Sequence, residues 1–220
     1  MKTRPQASAL LLAGVLLLAG TKPAARVVPV QLDPLAGTTN FEQLVPLLER
    51  GELSLVESRP SGRLQQVTVI GLVIAPPAVV WQVLTDYRNY TSIFKNLAEL
   101  EIVKSEGNDT WLDYELEVPG SNLEYRLRHH HLPRKRIDIT LANDEGDIQT
   151  GAWRWDLVPH DNGRQTILVY TLYTDVRESS WLIRQVLKSS PTVEHGLNVA
   201  TGLVTIRAVK QEAERRAGAR

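Results

Sequence analysis

Residues 67–106 read VTVIGLVIAPPAVVWQVLTDYRNYTSIFKNLAELEIVKSE and contain a strand, a proline break and a helix in close succession. The first eight residues are mostly valine and isoleucine, which is typical of a strand. Pro76 and Pro77 end that strand, and Pro77 suits the first turn of a helix. Apolar residues then recur at helical spacing and predict a helix over residues 78–87, with Val80, Val83, Leu84 and Tyr87 on one face. A second short helix is predicted over residues 90–97.

On either side of this stretch the sequence alternates with the period of two that is typical of strands. Upstream, residues 52–58 and 63–74 flank the turn residues Pro60, Ser61 and Gly62 and predict a hairpin. Downstream, short turn signals separate six further strands, which predicts an antiparallel meander. These six strands span residues 100–104, 110–118, 122–132, 135–142, 149–158 and 165–176.

The chain ends in a long helix that we predict from Thr192 to about Arg216. Its apolar stripe predicts the face that meets the sheet, and this stripe comprises Val193, Gly196, Leu197, Ala200, Leu203, Val204 and Arg207. The fold class is therefore α+β, with a curved seven-stranded antiparallel sheet around the C-terminal helix and two short helices after the first strand. Gly196 and Ala200 are small, so we expect space to remain between helix and sheet.

Composition and the N-terminus limit the classes of function. The 220 residues carry 25 basic and 25 acidic side chains and no cysteine. This excludes disulfides and thiolate chemistry and gives no overall attraction for nucleic acid. A basic start and the apolar run at residues 9–19 predict a signal peptide over residues 1–25, hence a periplasmic or secreted protein. The alternative is an uncleaved apolar anchor. We expect a linker with a short helix over residues 26–50 and a monomeric domain over residues 51–216.

Two segments resemble the START-like helix-grip superfamily, which includes polyketide cyclases, coenzyme-Q-binding proteins and the birch-pollen-allergen fold. One is residues 67–106, through the strand, Ala75-Pro76-Pro77, Val80-Trp81, Asp86-Tyr87 and Tyr90. The other is the tail SSWLIRQVLKSSPTVEHGLNVATGLVTIRA at residues 179–208, where a tryptophan turn at residues 181–189 leads into the last helix. The resemblance implies a cavity between sheet and helix that holds a hydrophobic small molecule: a lipid, an isoprenoid or a quinone-like compound. It implies that the protein binds and transports this molecule without a cofactor and that it could contact a membrane transiently.

Strand alternation and the helix stripe together give the residues that we expect to contact this ligand. Trp153 and Trp155 share one face of their strand, and two large rings can form a flat cavity wall. Three tyrosines could supply hydroxyls to a polar group of the ligand. The predicted ligand-binding set is Leu112, Tyr114, Leu116, Tyr125, Leu127, His129, Trp153, Trp155, Tyr170, Leu197, Ala200, Leu203 and Val204.

The triplet His129-His130-His131 is the most conspicuous local motif. On a strand, His129 and His131 share one face and His130 points the other way. The pair could be structural, could orient a ligand in the cavity, or could begin a metal site, but no acid lies on the same face of that strand to complete one. We therefore predict no metal and no assigned catalytic residue. The alternative function is a cyclase or dehydratase-like enzyme that uses His129, His131 and Tyr125.

Overall fold

A computed structural model describes residues 30–33, 35, 39–118, 121–142, 146–175, 177, 185, 187, 190 and 192–218. The predicted signal peptide and most of the predicted turn at residues 181–189 lie outside the described residues. The strands are β1 (Leu53–Ser58), β2 (Leu64–Val73), β3 (Leu97–Glu106), β4 (Asp109–Val118), β5 (Ser121–Leu132), β6 (Arg136–Leu141), β7 (Gly151–His160) and β8 (Gln165–Thr174). The helices are α1 (Val45–Leu48), α2 (Pro77–Thr85), α3 (Tyr90–Ile93) and α4 (Val193–Ala217).

The strands form one antiparallel sheet in the order β1-β2-β8-β7-β6-β5-β4-β3. The predicted α+β helix-grip class is confirmed, but the sheet has eight strands, so the predicted count of seven is wrong. The additional strand is β1, the first arm of the predicted hairpin, which pairs with β2 from Leu53 opposite Ile70 onward. The hairpin arm adds an edge to the sheet because its backbone groups find partners along β2.

The β2–α2 junction follows from the two prolines. Pro77 is the first residue of α2, where its missing N–H leaves no helical hydrogen bond unmade. Val80, Val83 and Leu84 are fully buried, which confirms the predicted face of this helix. The short helix after it ends at Ile93 rather than Leu97, since Leu97 already begins β3.

Helix α4 has the predicted extent, but the predicted sheet-facing stripe is wrong. The buried positions of α4 are Glu194, Asn198, Gly202, Ile206, Val209 and Ala213, whereas Leu197 and Val204 are exposed. Asn198 faces the sheet because its side-chain amide bonds the end of β8. The Thr174 N–H donates to Asn198 Oδ1 at 2.9 Å, and Asn198 Nδ2 donates to the Thr174 carbonyl at 3.1 Å. An asparagine that satisfies a strand end belongs on the buried face.

The C-terminal half of α4 is fixed at several points. Ile206, Val209 and Ala213 are completely buried in the main core. The Ile74 N–H donates to Glu214 at 3.0 Å, and Arg216 donates to Asp86 at 2.7 Å, which links the end of α4 to the end of α2. The helix is therefore anchored at its C-terminal end.

The segment that precedes β1 covers the part of the convex face formed by β2 and β8. Phe41 and Leu48 are buried against the outward side chains of β2 and β8, namely Ile70, Leu72, Ile167 and Val169. This segment shields apolar strand residues that α4, on the opposite face, does not reach. Among the described residues, no helix is long and apolar enough to cross a membrane.

Candidate functional site

A cavity of about 120 Å³ lies between the concave face of the sheet and α4. Its wall is mostly aromatic and aliphatic, with a histidine and two threonines. Asn96 and Thr201 are the exposed members of the lining and mark its mouth. The lining residues are Tyr90, Phe94, Asn96, Leu97, Tyr114, Leu116, Tyr125, Leu127, His129, Ile139, Trp153, Trp155, Tyr170, Thr201 and Thr205.

Strand register brings the aromatic side chains together. Tyr114 lies opposite Tyr125 across β4 and β5, and their rings stack with centroids 5.6 Å apart. Trp155 lies opposite Tyr170 across β7 and β8, with stacked rings 4.0 Å apart. Directly opposed residues lie on the same face of the sheet. The registers of β4–β5 and β7–β8 therefore place both aromatic pairs on the concave side.

The structure places the predicted ligand-binding residues in two groups. The eight from the sheet's inner face line the cavity: Tyr114, Leu116, Tyr125, Leu127, His129, Trp153, Trp155 and Tyr170. The other five do not. Leu112 is buried in a small cluster with Tyr87, Tyr90 and Leu97, Leu203 packs on the main core, and Leu197, Ala200 and Val204 are exposed. Because α4 is rotated from the predicted phase, Thr201 and Thr205 face the cavity in place of these helix residues.

Several lining residues were missed by the sequence analysis. Ile139 could have been found, because strand alternation places it on the same face as Ile137. Tyr90, Phe94 and Asn96 close one end from α3 and the turn after it, and only the packing of α3 against the sheet brings them there. Tyr90 is held by its hydroxyl, which donates to the Leu84 carbonyl at 2.6 Å.

Tyr87 joins two of the histidines behind the cavity wall. Its hydroxyl lies 3.1 Å from His129 Nδ1 and 2.6 Å from His131 Nε2. On the cavity side, the Tyr114 hydroxyl lies 3.2 Å from His129 Nε2. On the far side, His131 Nδ1 lies 2.8 Å from the Asn108 carbonyl. Strand alternation predicts that His129 and His131 share one face. The helical spacing of Tyr87 indicates only that it belongs to the buried face of α2, so its contact with the histidines is not predictable from the sequence.

Burial keeps these groups uncharged at neutral pH. Burial, with a smaller contribution from His131, lowers the pKa of His129 to about 3. Burial also lowers the pKa of His131, and it raises the pKa values of the Tyr114, Tyr125 and Tyr170 hydroxyls. The polar groups of the cavity therefore act as neutral hydrogen-bonding groups.

The ring nitrogens that a metal at the histidine pair would need are already engaged. His129 Nδ1 and His131 Nε2 both contact the Tyr87 hydroxyl. Within the part of the chain that the structure describes, no three histidine, cysteine, aspartate or glutamate side chains are grouped so as to hold a metal ion. The geometry of the pair is that of a hydrogen-bonded network.

A curved antiparallel sheet that grips a C-terminal helix and leaves an aromatic-lined cavity beneath it defines the helix-grip class of domain. The sequence profile described as "Polyketide cyclase / dehydrase and lipid transport" matches residues 73–196. The chain belongs to this family, and the resemblance to the START-like superfamily is confirmed. No curated protein matches the chain at a significant level.

Solved structures share the fold at low sequence identity. The STAR-related lipid transfer protein fragment from Xanthomonas axonopodis is 15% identical with a TM-score of 0.57, over 74% of this chain and 94% of that one. The Zhui aromatase/cyclase from Streptomyces is 21% identical with a TM-score of 0.53, over 69% and 94%. A protein from Thermus thermophilus is 18% identical with a TM-score of 0.56, over 69% and 99%. At these identities the likeness establishes the fold alone.

Proposed function

We propose that this protein binds a hydrophobic small molecule in the cavity between the sheet and α4, and that it carries this molecule to a site of release. The observation that supports the proposal is the unfilled space of about 120 Å³ walled by Tyr114, Tyr125, Trp153, Trp155 and Tyr170. Protein cores normally pack without voids of this size. An apolar group that fills such a void makes van der Waals contacts with its walls and so lowers the free energy of the complex.

The cavity volume limits what can be enclosed. Sites for drug-sized ligands usually measure about 300–1,000 Å³, and an engineered cavity of about 150 Å³ holds benzene. A space of about 120 Å³ therefore suits a single ring or a short stretch of chain. For a lipid, isoprenoid or quinone-like ligand, we propose that one end enters the cavity and the rest leaves by the mouth at Asn96 and Thr201.

Propylbenzene is the probe for this proposal. We expect it to raise the melting temperature and to change the fluorescence of Trp153 and Trp155. At a ligand concentration a hundredfold above Kd, the free energy of unfolding should rise by about 2.7 kcal/mol. Leu116→Trp, which fills the cavity, should abolish both effects. Ile102→Trp makes a similar change at an exposed site and should preserve them. If propylbenzene changes neither signal in the unmodified protein, the proposal is wrong.

A cyclase or dehydratase-like activity is the second candidate, because a cavity histidine with a lowered pKa has hydrogen-bonding partners on both sides. His129 is a weak base at neutral pH. It can take up a proton at Nε2 through the Tyr114 hydroxyl if its Nδ1 proton moves to the Tyr87 oxygen while the Tyr87 hydroxyl proton moves to His131 Nε2. Tyr125 of the predicted catalytic set lines the cavity but makes no hydrogen bond to either histidine in the described part of the chain. Tyr114 takes that place.

Proton exchange tests this second candidate without a known substrate. If the relay works, the protein will accelerate the exchange of the acetyl methyl hydrogens of 4-methylacetophenone for deuterium in D₂O, as measured by NMR. Tyr87→Phe breaks the relay and should lower the enzymatic rate about a hundredfold, the usual scale of general acid–base catalysis. Tyr173→Phe, which lies away from the cavity lining, should leave the rate unchanged. A rate equal to that in buffer would eliminate the enzyme hypothesis for enolisable aryl ketones.

A further inference from the structure

Four hydrogen bonds run in series from a backbone carbonyl to the cavity wall. They join the Asn108 oxygen to His131, His131 to Tyr87, Tyr87 to His129, and His129 to Tyr114. The donor–acceptor distances are 2.8, 2.6, 3.1 and 3.2 Å in that order. His129 and Tyr114 both line the cavity, so the series ends at the cavity wall.

The carbonyl at one end fixes the direction of every bond in the series. A carbonyl oxygen can only accept, so His131 Nδ1 carries the hydrogen. Neutral His131 then accepts at Nε2, and the Tyr87 hydroxyl donates to it. The Tyr87 oxygen in turn accepts from His129 Nδ1–H, which leaves His129 Nε2 as the acceptor for Tyr114. Both histidines are neutral at pH 7 because burial lowers their pKa values.

The Tyr114 hydroxyl hydrogen is therefore committed to His129. What Tyr114 can offer to a molecule in the cavity is the lone pairs of its oxygen. Tyr125 and Tyr170 differ from it: both are more than nine-tenths buried and line the cavity, and neither hydroxyl has a hydrogen-bond partner among the described residues. These two hydroxyls can rotate to donate or to accept.

We infer that the ligand carries a hydrogen-bond donor, a hydroxyl or N–H group on an apolar body, and that this group donates to the Tyr114 oxygen. The inference rests on the proposed binding function and narrows its ligand class. A ligand whose only polar atoms are carbonyl or ether oxygens can be satisfied by Tyr125 or Tyr170. Once such a ligand excludes water from the cavity, the lone pairs of the half-buried Tyr114 hydroxyl would have no partner, which is unfavourable.

Two probes of similar size separate the donor from the rest of the ligand. 4-Propylphenol has a hydroxyl where 1-fluoro-4-propylbenzene has a fluorine that cannot donate. Each binds with its own solvation cost, so the informative quantity is the ratio of their dissociation constants, compared between variants by calorimetry. Tyr114→Phe should shift this ratio about tenfold or more against 4-propylphenol, since a buried hydrogen bond then lacks its acceptor. Tyr173→Phe is the matched control and should leave the ratio unchanged.

Each outcome decides one point. Binding of 1-fluoro-4-propylbenzene by Tyr114→Phe shows that this variant still folds and keeps its cavity. Tyr114→Phe also frees His129 Nε2, which could accept in place of the lost oxygen, so the double variant Tyr114→Phe/His129→Phe is measured as well. If both probes bind and their ratio is unchanged in both variants, the inference is overturned while apolar binding stands. The same holds if the ratio follows Tyr125→Phe or Tyr170→Phe instead. If neither probe binds the unmodified protein, the failure lies with the proposed binding function.

Discussion

Gly202→Ala is expected to destabilise the protein, whereas Gly196→Ala in the same helix is expected to stabilise it. A Cβ atom at Gly202 would lie 2.7 Å from Val69 Cγ2 and 3.0 Å from Leu172 Cδ2. Val69 and Leu172 are completely buried, so neither can move aside, and α4 would have to shift off the sheet. Overpacking of this kind costs about 1–3 kcal/mol, which outweighs the helix-propensity gain of about 0.5–1 kcal/mol.

At Gly196 only the propensity gain remains. A Cβ atom there meets nothing within 4 Å, so alanine should add about 0.5–1 kcal/mol to the free energy of unfolding. Urea denaturation measures both effects. A shift of the midpoint urea concentration, with no change in the slope of the free energy of unfolding against urea, reports a change in stability. Gly202→Val, paired with Gly196→Val, enlarges the steric effect and should widen the difference. A Gly202→Ala variant as stable as the unmodified protein would show that α4 does not approach the sheet this closely.

Acid should destabilise the protein through His129 before most carboxylates titrate. The pKa of His129 is about 3 in the folded state and 6.5 for an ordinary histidine, so between these pH values the unfolded state binds the proton and the folded state does not. The stabilisation is complete above pH 6.5 and is lost as the pH falls, at up to about 1.4 kcal/mol per pH unit. Between about pH 8 and about pH 5 the expected loss is about 2 kcal/mol.

His129→Gln isolates this contribution. The glutamine amide keeps a donor and an acceptor for Tyr87 and Tyr114 but does not titrate, so the slope of the free energy of unfolding against pH should flatten below about pH 6.5. His130→Gln is the control, because the His130 side chain is 40% exposed on the other face of β5. Parallel pH profiles for His129→Gln and the unmodified protein would contradict a buried neutral imidazole at position 129.

Strand alternation correctly identified the inner face of the sheet, whereas the apolar stripe of α4 did not identify its buried face, for a physical reason. Alternation along β4, β5 and β7 placed Tyr114, Tyr125, His129, Trp153 and Trp155 on one face, and they line the cavity. A strand has only two faces, so once one face is buried the orientation of every side chain on the strand is determined. A helix can rotate continuously about its axis, so its most apolar stripe need not be its buried one. Asn198 and Gly202 set the rotation through the Thr174 backbone and close contact with β2 and β8.

The sequence by itself determined the order of the elements, the antiparallel pairing of the meander and the inward faces of its strands, because these depend on local alternation and turn residues. Tertiary structure alone decided three things: the rotation of α4, the size of the cavity and the meeting of Tyr87 with His129 and His131. Each of these depends on contacts between residues far apart in the chain. Tyr87 and His129 are 42 positions apart, so no local sequence pattern predicts the hydrogen bond between them.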